Sequence, residues 1–340
     1  MIPVHLERAV FGIYATHSLH FADRSGVFVH LADHGSATAA ELSGALGVDG
    51  ETLERLLLVL VSLQVLTRTG EGRYALAEGT RPYLDSREPR YLLGFVDHLV
   101  GSTAQRFGQV HDYLSRGKAA VDAEMPDPFA TLYRDDDSVR RFLTAMWQLS
   151  FHVSHELARL ADLGDVRRLV DVGGASGPFS VAALLAYPRL RSTVFDLPQV
   201  GPYLAESAKA YELGDRLTFA GGDFFRDPLP EGDCVAFGYI LSDWDDETCE
   251  GLLRKAYDAC RPGGRVLVME RLFDPDRGGP LSTAVMNLSM HLETQGRHRT
   301  PEEYLGLLRR AGFADCAVRR STADKHLLVG RRSPVTVGAR

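Results

Sequence analysis

From Arg168 onward the chain alternates short apolar runs with helical stretches, and the first run, Leu169-Val170-Asp171-Val172, leads into Gly173-Gly174-Ala175-Ser176-Gly177-Pro178. This feature constrains the fold more than any other. Glycines just past a strand allow a tight turn and close approach of a ligand to the backbone, and the helix that follows presents free N–H groups. A helix carrying Val181, Leu184 and Leu185 comes next, then strands at Ser192–Asp196, Leu217–Phe219, Cys234–Phe237 and Val266–Met269. Strand and helix in alternation predict a parallel sheet covered on both faces, an α/β doubly wound, Rossmann-like domain.

Two acidic residues sharpen the glycine loop. Asp196 closes the second strand roughly 20 residues further on, where a carboxylate can accept both hydroxyls of a ribose. Asp223, in Gly221-Gly222-Asp223-Phe224-Phe225, follows the third strand and is placed to accept from an adenine amino group, with Phe224 against the ring. The bland reading is a structural turn with acids at a sheet edge; the ordered set argues against it. The loop lacks G-x-x-x-x-G-K-S/T, which argues against nucleotide hydrolysis, and it is not a full G-x-G-x-x-G, which weakens a dehydrogenase reading.

The N-terminal part reads as helical. Leu53, Leu56, Leu57, Leu60 and Leu63 recur at three- and four-residue steps, the mark of one buried stripe. Thr38-Ala39-Ala40-Glu41 is a capping-box pattern that Gly47 can terminate, and Thr69–Gly72 joins two short strands as a hairpin. Helices followed by a hairpin make a winged-helix outline. Residues 1–80 nevertheless hold five arginines and no lysine against nine carboxylates, whereas a groove reader needs a basic face. A dimerisation or substrate-lid role is preferred, and no nucleic-acid partner is expected.

The 340 residues predict about two domains. We place a winged-helix-like dimerisation domain at 1–100, connecting helices that contribute to an acceptor pocket at 101–160, and the nucleotide-type domain at 161–335. A net charge of −7 argues against coating nucleic acid or anionic membrane. No apolar stretch approaches the roughly 20 residues of a membrane span. The first residues lack a basic region followed by an apolar run, so no secretory signal is expected. Cys234, Cys249, Cys260 and Cys316 show no C-x-x-C spacing, which fits free thiols in the cytoplasm.

Several segments then occur in the order of a known family: Asp171–Gly177, Phe195-Asp196-Leu197-Pro198-Gln199-Val200, Gly222–Phe225, Leu241-Ser242-Asp243-Trp244-Asp245-Asp246-Glu247 and Arg261-Pro262-Gly263-Gly264-Arg265. Together they resemble the S-adenosylmethionine-dependent small-molecule O-methyltransferases of the caffeate, hydroxyindole and polyketide-tailoring kind, over nearly the whole chain. The resemblance implies a homodimer that binds S-adenosylmethionine and a small-molecule acceptor. It implies that Gly173 lies by the amino-acid end of that cofactor, that Asp196 holds the ribose, that Asp223 and Phe224 hold the adenine, and that Asp171, Gly174 and Leu197 also belong to the cofactor site.

The chain departs from this pattern where chemistry is expected. In the family a histidine precedes the Asp-Trp pair and serves as general base; here the position is Ser242, and a serine hydroxyl needs a base of its own near neutral pH. Glu270 matches an acidic residue that orients that histidine. A second acidic family position, in G-x-E-R-T, is His298 within Gly296-Arg297-His298-Arg299-Thr300.

Three readings follow. His298 is a relocated base, kept neutral by Arg297 and Arg299; or His298 and Asp243, with His291 or Glu270 as a further ligand, hold a divalent or ferric metal that stabilises an enolate; or catalysis has degenerated to ligand binding. The metal reading echoes a subgroup that resembles α-keto acid C-methyltransferases. Metal-assisted C-methylation of an α-keto acid is favoured over O-methylation by a modest margin. Catalytic candidates are thus His298, Asp243, Glu270 and Ser242. Phe129, Met146 and Trp147 are candidates for lining the acceptor pocket, with ordinary core as the competing reading.

Overall fold

The computed structural model describes residues 2–124 and 133–334. The chain divides into two compact units, Met1–Gln105 and Arg106–Arg340.

The first unit carries helices α1 (Val4–Arg24), α2 (Val27–His34), α3 (Ala39–Leu46), α4 (Gly50–Ser62), α5 (Arg81–Leu84) and α6 (Leu93–His98). Strands β1 (Ser36–Thr38), β2 (Leu66–Arg68) and β3 (Arg73–Leu76) form an antiparallel sheet in the order β1-β3-β2. The hairpin read from the sequence is present, with Leu66 opposite Leu76; β1 was not foreseen because three residues carry too little alternation to register. The capping box is formed: Thr38 Oγ1 accepts the Glu41 N–H at 3.2 Å, and Glu41 Oε2 accepts the Thr38 N–H at 2.8 Å. Such a cap contributes about 1 kcal/mol. Of the leucine stripe on α4, Leu53, Leu57 and Leu60 are buried with Phe28, Leu31 and Tyr74. Leu56 packs from the edge and Leu63, past the end of the helix, is exposed.

The second unit contains α7 (Val110–Arg116), α8 (Lys118–Asp122), α9 (Asp136–Ala161), α10 (Pro178–Ala186), α11 (Gly201–Ala210), α12 (Asp246–Ala259), α13 (Leu281–Glu293) and α14 (Pro301–Arg310). Its sheet comprises β4 (Arg168–Val172), β5 (Arg191–Asp196), β6 (Leu217–Gly221), β7 (Gly232–Gly238), β8 (Cys260–Glu270), β9 (Ala314–Arg319) and β10 (His326–Arg331), in the order β6-β5-β4-β7-β8-β10-β9. The first five are mutually parallel, whereas β10 is antiparallel to both β8 and β9. The expectation of a purely parallel sheet is therefore corrected to a mixed one. The cause is a terminal hairpin, which needs no crossover helix.

Alternation along the strands separates two cores, as the period of two requires. Leu169, Cys234, Ala236, Leu267 and Met269 face a core shared with Leu157 of α9, Val181 of α10 and Leu204 of α11. Val170, Val172, Val235, Phe237, Val266 and Val268 face the other, shared with Leu253 of α12 and Leu308 of α14. Helices on both faces leave the carboxyl edge of the parallel strands as the place where a ligand meets the sheet.

Candidate active site

β4 runs into the glycine loop, and the loop is tight at every glycine. Gly173 has φ +64°, and a Cβ there would stand 2.4 Å from Cδ1 of Ile240. A Cβ on Gly174 would lie 2.7 Å from Cγ of Asp171, and one on Gly177, at φ +84°, would lie 2.7 Å from Leu204. Side chains are thus excluded where the backbone must stay open. Beneath the loop Asp171 is buried and accepts from Ser180 Oγ at 2.7 Å; burial pushes its carboxyl up to about 6.

Asp196, at the end of β5, is tied to the same loop. Its Oδ2 accepts the Ala175 N–H at 2.8 Å and its Oδ1 accepts the Leu197 N–H at 2.7 Å. Burial raises it to about 6 against the pull of those two N–H groups. Each oxygen retains a second lone pair for a ligand hydroxyl. Past β6, Asp223 Oδ1 accepts the Phe225 N–H at 2.8 Å while its own N–H donates to Asp227 at 2.8 Å, so the acid sits in a fixed turn. The Phe224 ring reaches to 3.7 Å from where a Gly173 side chain would begin. One glycine loop, two oriented carboxylates and one aromatic face therefore surround the same opening. Tyr133, which the sequence reading missed, belongs here too: burial first, then the charges of Asp196 and Asp243, keep its phenol protonated.

The cradle fits S-adenosylmethionine: Ile240, Asp171 and Leu204 leave no room for side chains at Gly173, Gly174 and Gly177, and Asp196 is buried and oriented by two backbone N–H groups, with a lone pair left on each oxygen. Comparison with known proteins settles the family. An O-methyltransferase domain profile matches residues 115–314, and an O-methyltransferase dimerisation domain profile matches 7–86.

This chain belongs to the O-methyltransferase family.

It is 30% identical to human acetylserotonin O-methyltransferase over 94% of this chain and 95% of that one. It is 33% identical to 3-hydroxy-5-methyl-1-naphthoate 3-O-methyltransferase of Streptomyces sahachiroi, over 92% and 90%. Among solved structures, human N-acetylserotonin methyltransferase in complex with S-adenosylmethionine superposes with a TM-score of 0.87 at 29% identity, covering 96% of each chain. The chain is an S-adenosylmethionine-dependent methyltransferase.

On the acceptor side this O-methyltransferase differs from the sequence expectations. Ser242 is buried in a turn at Leu241–Asp243, and its N–H donates to Glu270 Oε1 at 3.2 Å. Glu270 closes β8, is fully buried, and its Oε2 has no hydrogen-bond partner. Burial raises its carboxyl above the usual carboxylate range. Asp243 is pushed well up by burial and by the charges of Glu270 and Glu293.

His298 is buried and its backbone N–H donates to Asn287 Oδ1 at 2.8 Å, but its Nδ1 has no partner. Burial, then Arg271 and Arg299, lower its pKa to about 3. The imidazole is neutral as expected, yet so weak a base that it makes a poor proton acceptor.

The role read for Arg297 is corrected: it pairs with Glu303 at 2.7 Å and Asp246 at 3.3 Å. Arg299 is a clamp as much as a charge. Fully buried, it donates to Leu241 O at 2.8 Å, Trp244 O at 2.9 Å and Asp246 Oδ1 at 2.7 Å, fixing the loop that carries Ser242 and Asp243.

The metal set read from the sequence is not assembled. Among the described residues no group of three His, Cys, Asp or Glu side chains comes together to hold an ion. His291 is exposed on α13, with its ring 6.2 Å from that of Tyr113. Trp147 stacks on Phe151 at 4.4 Å and lies 5.7 Å from Tyr211, so its ring is taken up by the core. Met146 is half-buried on α9, and Phe129 lies outside the described residues. Lys325, buried just before β10, was also missed; a lysine close before the apolar run Leu327–Val329 is the only signal the sequence carries for it.

Proposed function

We propose that this enzyme transfers a methyl group from S-adenosylmethionine to a hydroxyl on a small aromatic acceptor, with Glu270 as the proton acceptor acting through Ser242. The observation that carries the reading is Glu270: buried, fixed by the Ser242 N–H, with one oxygen unpartnered and its basicity raised by burial. A carboxyl shifted upward is a better match to a phenolic proton than an ordinary carboxylate. Relatives that act on a hydroxyindole and a naphthoate support an aromatic hydroxyl. Metal-assisted C-methylation, the sequence expectation, loses its support because Asp243, His291 and His298 do not form a ligand set.

In this reading Asp196 accepts from the ribose hydroxyls, Asp223 accepts from the adenine amino group beside Phe224, and the loop at Gly173-Gly174 receives the amino-acid end. When bound, S-adenosylmethionine supplies an electrophilic methyl on a sulfonium. The acceptor hydroxyl donates to Ser242 Oγ while the Ser242 proton passes to Glu270. The freed oxygen takes the methyl, and the carbon–sulfur bond breaks to leave S-adenosylhomocysteine. Protonated Glu270 then returns its proton to solvent. Arg299 holds Ser242 in register through Leu241 O.

We also propose that the enzyme is a cytoplasmic homodimer. Along α1 the side chains of Val4, Val10, Phe11, Ile13 and Tyr14 are all more than half exposed, and a second copy covers them most simply, in keeping with the dimerisation profile over 7–86.

The test is turnover of methyl-labelled S-adenosylmethionine with hydroxyindoles and naphthols, in wild type and Glu270→Gln. Removing a general base costs about 10²–10⁴-fold in kcat, and S-adenosylhomocysteine affinity should hold. Full turnover in Glu270→Gln overturns the assignment of the base.

A further inference from the structure

β10 runs antiparallel to β8, so its first residues return to the edge where β4, β7 and β8 end; His326 lies opposite Glu270. Lys325, one residue earlier, is only 3% exposed. Its ammonium stands 3.8 Å from the centre of the Tyr239 ring and 3.2 Å from where a Cβ on Gly238 would be. The missing side chain at Gly238 is what leaves room for it.

An ammonium withdrawn from water is costly unless charges of opposite sign answer it. Two buried carboxylates do so, Glu270 from β8 first and Asp171 from β4 second. The relation is reciprocal. Among the charged groups acting on Glu270, Lys325 pulls hardest toward the ionised form, ahead of Arg299. The other cations nearby are committed: Arg271 pairs with Asp324 at 2.5 Å, and Arg299 with Asp246 at 2.7 Å. Neither Glu270 nor Asp171 has a direct ion pair among the described residues, so Lys325 acts across the sheet edge as a fixed charge rather than as a contact partner.

We propose that Lys325 is a positioning residue for proton transfer: held over Tyr239 in the space left by Gly238, its ammonium sustains the negative charge of Glu270 in the water-poor site. The proposal rests on the reading of Glu270 as proton acceptor. The groups that face the pair are Asp171 on β4, Tyr239 after β7, Asp243 in the following turn, Cys249 on α12, Arg271 just past β8, Arg299 from the loop before α14 and Tyr304 on α14. Burial drives Glu270 toward its neutral acid and Lys325 toward its neutral amine, and each opposes that drift in the other.

The experiment uses the full chain with a hydroxyarene acceptor, and compares wild type, Lys325→Met, Gly238→Ala and Glu270→Gln. Two quantities are read: the acidic limb of the kcat profile, and the infrared titration of the protonated carboxyl band that Glu270→Gln removes. In Lys325→Met the limb and the band should both move to higher pH by about one unit, a tenfold loss on the limb. S-adenosylhomocysteine affinity should be unchanged. Gly238→Ala, which crowds the ammonium without deleting it, should shift both in the same direction and serves if Lys325→Met does not fold.

An unmoved band in either folded variant overturns the role of Lys325 and leaves Glu270 as base intact. Weakened S-adenosylhomocysteine binding with an unmoved band also overturns it, and makes Lys325 a cofactor contact. Full turnover in Glu270→Gln instead removes the base, and with it the catalytic meaning of the pair.

Discussion

Replacing Asp196 by asparagine tests the cofactor cradle at its most constrained point. Each carboxylate oxygen accepts one backbone N–H, from Ala175 at 2.8 Å and from Leu197 at 2.7 Å. An asparagine keeps one acceptor and turns the other into an amide NH₂ that faces an N–H donor. One half-buried backbone amide then loses its partner, a cost of about 1 kcal/mol. For a folding unit the size of Arg106–Arg340, which carries Asp196, each kcal/mol lowers the melting temperature by roughly 2–4 °C. A bound ribose loses a charge-assisted bond on the same side, worth a further 1–3 kcal/mol or so, equivalent to about 5- to 150-fold in affinity.

Calorimetry with S-adenosylhomocysteine and a thermal scan separate the two effects. Asp215→Asn, whose carboxylate pairs with Arg191 at the surface, should leave both within error. If Asp196→Asn binds S-adenosylhomocysteine as tightly as wild type, the placement of the ribose against Asp196 is wrong.

Three further outcomes follow from particular contacts. Gly174→Ala puts a methyl 2.7 Å from Cγ of Asp171; by breaking the bond to Ser180 it should destabilise the fold by about 1–3 kcal/mol, so an unchanged urea midpoint would count against the packing described. His298 is held at about 3 in the fold, whereas an unfolded histidine titrates near 6.5, so the unfolded chain takes up the proton first. Stability should therefore fall as pH drops from about 6.5 to about 3, by about 1.4 kcal/mol per unit from this group. His298→Asn should flatten that slope in urea titrations at pH 7 and pH 5, and equal slopes would contradict a buried neutral imidazole. Phe11→Glu with Ile13→Glu should convert the dimer to monomer by light scattering at micromolar concentration; a wild type that is already monomeric would remove the interface.

What could be read in advance were the features that depend on local spacing. The turn at Gly173–Gly177, the acid that ends β5 and the capping box at Thr38 each announce themselves within a few residues, because sterics and hydrogen bonding act at that range. The acceptor side depends on contacts between segments far apart in the chain. Nothing in Arg297-His298-Arg299 reveals that Arg299 clamps Leu241 and Trp244, or that desolvation weakens His298 as a base. Lys325 reaches the site only because β10 reverses direction beside β8, a pairing that sequence periodicity does not specify. The metal reading finds no support for the same reason. Its residues come from separate segments, and folding points His291 to the surface and leaves His298 inside.

The proposed methyl transfer goes to oxygen. The most direct measurement is a reaction with ¹³C-methyl S-adenosylmethionine and a panel holding hydroxyindoles, naphthols and aryl α-keto acids, run with and without chelator and resolved by NMR. Label is expected on an aromatic hydroxyl as an O-methyl resonance, at a rate the chelator leaves unchanged. Label on carbon next to a keto group, lost on chelation, would contradict it.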